Sequence, residues 1–177
     1  MMQLAKRARW ILVVLIVCLS ASCSQTPATV TILHFNDVYE IDAVEGGHSG
    51  GLARVATLIN TYKKGESPVI VTLGGDYLSP SAIGTAKVDG KALAGKQMVD
   101  VLNRIGLQWA TFGNHEFDVS EADFHSRLSE SRFKLVSSNV VDVNGKPFDG
   151  AATTSVTTVK VDGKDVRIGF MGLTIDS

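Results

Sequence analysis

The chain opens its legible pattern at Thr29, where TVTILHF, β-branched and apolar through Phe35, predicts a buried strand. A loop holding Gly46, Gly47, Gly50 and Gly51 follows. Leu52, Val55, Ile59 and Tyr62 then recur at helical spacing and predict an amphipathic helix over about 51–64. Pro68 introduces a second apolar run, Val69 to Leu73, which breaks at Gly74-Gly75. Met98, Val101, Leu102 and Ile105 mark a second helix that Gly106 stops. Leu107 to Phe112 predicts a third strand ending at Gly113. Ser120 with Asp123 makes a capping pattern for a helix to about residue 130, and Phe133 to Ser137 predicts a fourth strand.

Strands alternating with helices imply a largely parallel sheet with helices on its faces, an α/β class. The tail departs from this alternation. Val156 to Val161 and Val166 to Leu173 flank Asp162-Gly163, a strong hairpin signal. The last stretch, RIGFMGL, is apolar enough to predict a central strand. No repeat or low-complexity segment interrupts the chain.

The first residues point to export. Lys6, Arg7 and Arg9 precede an uncharged apolar run from Trp10 to Leu19, and small residues (Ser20, Ala21, Ser22) lead to Cys23. That order is a secretory signal peptide over 1–22, because a membrane span needs about 20 apolar residues. Small residues before a cysteine resemble the bacterial lipobox, although Ser20 stands where that motif prefers Leu. Residues 23–28 then read as a tether. The expectation is a periplasmic or cell-envelope lipoprotein, held to the membrane by a lipid on Cys23, with plain secretion as the alternative. Cys18 lies in the removed segment, which leaves no internal disulfide. With 17 basic against 18 acidic residues and no basic patch, nucleic acid is not an expected partner. The remaining length, 29–177, is about one domain.

Three predicted strands end in polar clusters: Asn36-Asp37-Val38-Tyr39, Gly75-Asp76, and Gly113-Asn114-His115-Glu116-Phe117-Asp118. In open α/β sheets ligands bind beyond the carboxyl ends of the strands, so Asp37, Asp76 and Asn114 can converge. Converging oxygen donors suit a divalent cation. Taken singly, an aspartate after Gly-Gly is more often a turn or cap residue. The set in this order is far more specific.

ILHFND, GLARVATLI, TLGGDYLSPS and ATFGNHEFD, together with SSNV and RIGFMGLT, resemble in order the opening motifs of the calcineurin-like metallophosphoesterases of 5′-nucleotidase type. That group also includes UDP-sugar hydrolases and cyclic-nucleotide phosphodiesterases. The resemblance implies the four-layer α/β/β/α sandwich of that family, present here in its N-terminal part. It implies two divalent ions, Mn or Zn, with Asp37 on the first, Asp76 bridging both and Asn114 on the second. It also makes His115 the catalytic histidine facing the phosphate, with Asn114 and His115 binding the substrate and Asp118 holding the imidazole. The implied reaction is hydrolysis of a nucleotide or other phosphate ester by a hydroxide that two metals about 3.5–4 Å apart activate. The oligomeric state stays open.

Two departures from the family pattern bear on this. The first motif usually reads Asp-x-His, whereas Tyr39 stands at the histidine position, and a phenol titrating near pH 10 is a poorer ligand. His34 and His48 do not obviously replace it. The family also draws histidine ligands from downstream strands, while after Asp118 this chain holds only His125, on a predicted helix. The three oxygen ligands cannot saturate two ions that each take about four to six donors. The expectation is a truncated family member with an incomplete second site and little turnover of its own. The alternatives are an inactive exported fragment, or a phosphodiesterase or sulfur-ester hydrolase on the same scaffold.

Overall fold

A computed structural model describes residues 28–148 and 150–175. The segment read as a signal peptide, and Cys23 with it, lies outside the described residues. In chain order the strands are β1 (Thr31–Phe35), β2 (Ala43–Val44), β3 (Ser49–Gly50), β4 (Val69–Leu73), β5 (Lys87–Val88), β6 (Lys91–Ala92), β7 (Trp109–Ala110), β8 (Lys134–Val136), β9 (Ala151–Ala152), β10 (Thr154–Val161) and β11 (Lys164–Met171). The helices are α1 (Leu52–Lys63), α2 (Lys96–Ile105) and α3 (Glu121–Glu130), with short 3-10 turns between, one of them His115–Asp118.

Five strands form a parallel sheet in the order β1-β4-β7-β8-β9, and α1, α2 and α3 each connect one of the first four strands to the next. Period-two alternation sorts its two faces. Val71, Leu73, Ala110 and Leu135 face the helices, where they pack with Leu52 and Ile59 of α1, Met98, Val99 and Leu102 of α2, and Phe124 of α3. The intervening residues Ile70, Trp109 and Val136 face the other way, against Val159, Ile168 and Phe170 of the β10–β11 hairpin. Trp109 stacks on Phe170 with ring centroids 4.4 Å apart. The described chain is therefore layered helix, sheet, hairpin, the first three layers of the expected α/β/β/α order.

Local chemistry explains the boundaries. Gly106 ends α2 in the left-handed conformation (φ 81°) and its N–H caps Leu102. Ser120 Oγ accepts the Asp123 N–H at the head of α3. Asp162 (φ 50°) and Gly163 (φ 75°) make a two-residue turn with both central residues at positive φ, the geometry that matches strand twist.

Some expectations need correcting. The first strand is half-buried rather than buried: it lies at the sheet edge, and Ile32 is 53% exposed. Among the described residues RIGFMGL has a strand neighbour on one side alone. β11 pairs with β10, its inner face covering the parallel sheet and Met171 pointing outward. An apolar run does not say whether both its flanks find partners. The third and fourth strands are also shorter than their apolar runs, because the chain leaves the ladder once it turns toward the glycine and serine loops. β9 adds a fifth strand that the sequence pattern does not signal.

Candidate functional site

Asp37, Asp76 and Asn114 all lie just beyond the carboxyl ends of adjacent parallel strands, β1, β4 and β7. The first two loops are joined through their backbones: Gly74 N–H donates to Phe35 carbonyl at 2.8 Å and Asp37 N–H to Gly75 carbonyl at 3.2 Å. Asp37 (φ 55°) and Asp76 (φ 57°) both hold the left-handed conformation, which costs a residue with a Cβ about 1–2 kcal/mol. Such outliers persist only where surrounding contacts over-determine them.

The side chains converge. Tyr39 hydroxyl donates to Asp37 Oδ1 at 3.0 Å and lies 3.5 Å from Asp76 Oδ2, so one phenol oxygen sits between the two carboxylates. Asn36 Nδ2 donates to the other oxygen of Asp37, Oδ2. The Asn36 bond, and then the Tyr39 bond, hold the Asp37 carboxyl below its usual range. Tyr39 is pushed up to about 12, first by desolvation and then by its bond to Asp37 and the charge of Asp76. It is a neutral donor at neutral pH.

His115 stands beside this group. Its backbone N–H donates to Asp76 Oδ1 at 2.9 Å, and its ring Nδ1 lies 2.7 Å from Asp118 Oδ2. A carboxylate acceptor requires the proton on Nδ1, which leaves Nε2 as the outward atom. The Asp118 bond is the largest effect and raises the imidazole pKa; desolvation, the next largest, opposes it, and the charge of Asp118 adds to the rise. Ser79 hydroxyl donates to the same Asp118 oxygen at 3.3 Å, and the Tyr39 ring meets His115 edge to face at 6.2 Å.

Two glycines permit this approach. A Cβ on Gly113 would lie 2.1 Å from Asp76 Oδ1, and one on Gly75 (φ 100°) would lie 2.3 Å from Gly113 N. The residue that sequence reasoning passed over is Glu116. Its side chain is fully buried (0% exposed) and accepts four backbone N–H bonds, from Asp76, Tyr77, Leu78 and Gly113. Burial is the largest effect and raises its pKa on balance, with the four donors pulling the other way; four N–H groups aimed at two oxygens suit the ionised form. No periodicity announces it, because a 3-10 turn rather than an α-helix or strand turns it inward.

The other histidines stay apart. His34 Nδ1 is 2.9 Å from Thr72 Oγ1, His48 is exposed in the glycine-rich loop, and His125 on α3 lies 3.9 Å from Glu121. Among the described residues no three His, Cys, Asp or Glu side chains cluster closely enough to hold a metal by themselves. Two carboxylates bracketing one oxygen, with the Asn114 amide on the neighbouring loop, nonetheless fit part of the oxygen shell of one divalent cation.

The sequence profile of calcineurin-like phosphoesterases matches residues 30–169. The chain belongs to that family. A 2′,3′-cyclic-nucleotide 2′-phosphodiesterase/3′-nucleotidase of Yersinia enterocolitica is 30% identical over 69% of this chain and 20% of its own length. A 5′-nucleotidase of Bos taurus is 28% identical over 64% of this chain and 21% of its own length. The chain thus spans about a fifth of the length of these curated relatives. Among solved structures, a 5′-nucleotidase precursor from Thermus thermophilus superposes with a TM-score of 0.66 at 27% identity, covering 82% of this chain and 28% of that one. A calcineurin-like phosphoesterase from Bacillus subtilis gives 0.65 at 19% identity, covering 84% of this chain and 49% of that one, a likeness of fold.

Proposed function

We propose that this phosphoesterase-family chain carries the metal-binding and phosphate-facing part of a metal-dependent phosphoric ester hydrolase of 5′-nucleotidase type, with nucleotides as its substrate class. The observation that carries the reading is the Asp37–Tyr39–Asp76 group lying against the His115–Asp118 pair at the strand ends. In this reading Asp37, Asp76 and Asn114 would hold divalent ions such as Mn²⁺ or Zn²⁺. Bound ions would supply positive charge to the phosphoryl oxygens and acidify the attacking water. His115 would face the phosphate and donate a proton from Nε2 to the phosphoryl or leaving oxygen, while Asp118 holds Nδ1–H and favours the imidazolium. The export signal at 1–22 and the acylation of Cys23 belong to the same proposal, on the sequence pattern alone, and would take the protein to the bacterial cell envelope.

The relatives named for cyclic-nucleotide phosphodiesterase activity favour a second reading, a diesterase on the same scaffold. Since His34, His48 and His125 stand away from the carboxylates, the 177-residue chain is expected to turn over slowly by itself. The test compares this chain with a version extended to the length of its relatives. Both are given Mn²⁺ and offered a nucleoside monophosphate, a 2′,3′-cyclic nucleotide and an aryl phosphate. In the extended version His115→Ala should lower the rate by roughly 10²–10⁴ with metal content kept. Inactivity of the extended version on all three substrates would overturn the reading.

A further inference from the structure

Glu116 is a buried carboxylate with no ion-pair partner among the described residues, and its place in the fold is unlike that of a solvated loop residue. Oε1 accepts Tyr77 N–H at 2.7 Å and Leu78 N–H at 3.2 Å, while Oε2 accepts Asp76 N–H at 2.8 Å and Gly113 N–H. Three of these donors are consecutive in the chain. Successive backbone N–H groups converging on one point form an anion-binding nest, and here a side chain of the same protein fills it. The fourth donor comes from the other loop, so one carboxylate ties the turn after β4 to the turn after β7. Bonds of this kind, with an ionised acceptor, are among the strong ones.

The tie bears directly on Asp76. Its backbone is held at φ 57°, a conformation that costs a residue with a Cβ more than it costs glycine, and its own N–H is one of the four donors. Its carboxylate is aimed by a separate bond from His115 N–H, one residue before Glu116. Both faces of the Asp76 placement therefore pass through the 113–116 turn.

We infer that Glu116 is a positioning residue: by collecting four N–H groups from two loops it holds Asp76 in the conformation that sets its spacing from Asn114 and His115. The cation readout of this inference rests on Asp76 being a metal ligand; the conformational readout does not.

Glu116→Gln is the informative change, because it keeps the shape yet turns one acceptor oxygen into an NH₂ facing two N–H donors, whichever way the amide is set. Three variants are compared with the wild type below their melting temperatures: Glu116→Gln, Glu116→Asp, and Val99→Ala in the remote core of α2 as a control for simple destabilisation. Mn²⁺ affinity is measured by titration calorimetry. Hydrogen exchange of the His115 amide, which bonds to Asp76 and not to residue 116, is followed by NMR on ¹⁵N-labelled protein. Glu116→Gln should weaken Mn²⁺ binding by about tenfold or more, the usual loss when a residue supporting a metal ligand is removed. The His115 amide should lose protection in parallel. Glu116→Asp should fall between, and Val99→Ala should move neither readout. If Glu116→Gln does not fold, Glu116→Asp decides by the same pair of measurements. Wild-type Mn²⁺ affinity and wild-type His115 protection in the folded variants would overturn the inference. A wild type that binds no Mn²⁺ would overturn the cation reading of Asp76, and the His115 amide alone would then decide the role of Glu116.

Discussion

The candidate centre has two halves built in different ways. The loops after β4 and β7 are pressed together through backbone atoms, with Gly75 and Gly113 in contact and Glu116 sealed beneath them. The loop after β1 is joined to the β4 loop by two backbone bonds, Gly74 N–H to Phe35 carbonyl and Asp37 N–H to Gly75 carbonyl, and by the hydroxyl of Tyr39, and Asp37 is exposed. The first half is preorganised by buried, charge-assisted bonds that cannot be exchanged for water without cost. The second is held by groups that water can also satisfy, where each bond nets much less. Asp76 thus sits in buried surroundings and Asp37 in exposed ones where water competes for its bonds, so cation affinity should be limited by the β1 side.

The sharpest way to break this contrast is at Glu116. Replacing it with Ala strands four N–H groups, and the loss should be on the order of 4 kcal/mol in urea unfolding, since each buried orphan donor costs about 1–3 kcal/mol. A loss below about 1 kcal/mol would mean that water replaces the carboxylate and that the half is not preorganised. Gly113→Ala comes next. Its Cβ must displace the Asp76 carboxylate, with an overpacking penalty of about 1–3 kcal/mol and a parallel loss of Mn²⁺ binding by calorimetry.

On the exposed side Tyr39→His should act in the opposite direction. It replaces a phenol pushed up to about 12, which stays protonated, by an imidazole whose ring nitrogen can ligate a cation in its neutral form. Mn²⁺ affinity should rise about tenfold, some ~1.4 kcal/mol, with little change in melting temperature. Unchanged affinity would show that the Tyr39 position does not limit binding.

The smallest effect concerns Asp118. Its bond raises the His115 pKa above the ordinary 6.5, so Asp118→Asn should bring that value down in an NMR titration. A group whose folded pKa is raised adds stability below its unfolded value and loses it as pH rises through the folded one. The wild type should therefore lose a slight stabilisation above pH 6.5 that the variant never has. The pair is exposed, which keeps this contribution small.

Much of the scaffold was legible because it is written in short-range periodicity. Leu52, Val55 and Ile59 share a helix face, Asp162-Gly163 prescribes its turn from two residues, and Ser120 caps its own helix through a bond three residues away. Asp37, Asp76, Asn114, His115 and Asp118 were legible as an ordered set, because strands ending in the same direction bring their next residues to one edge. The neighbours of β1 and β11 were not legible for a related reason. An apolar run reports that a strand has something to bury, and only its neighbours decide on which flank and face.

By itself the sequence determined the alternation of strands and helices, the hairpin turn and the residues delivered to the carboxyl edge of the sheet. Each of these follows from steric and hydrogen-bonding preferences acting over a few residues. Only the tertiary structure decided that Tyr39 hydroxyl lies between Asp37 and Asp76, and that Glu116 is buried under both loops. The Asp76–Tyr39 contact joins positions 37 apart, and the bonds to Glu116 from the β4 loop join positions 38 to 40 apart. A polar side chain carries no local mark of whether such a partner will arrive. Its burial is set by what the rest of the chain packs around it.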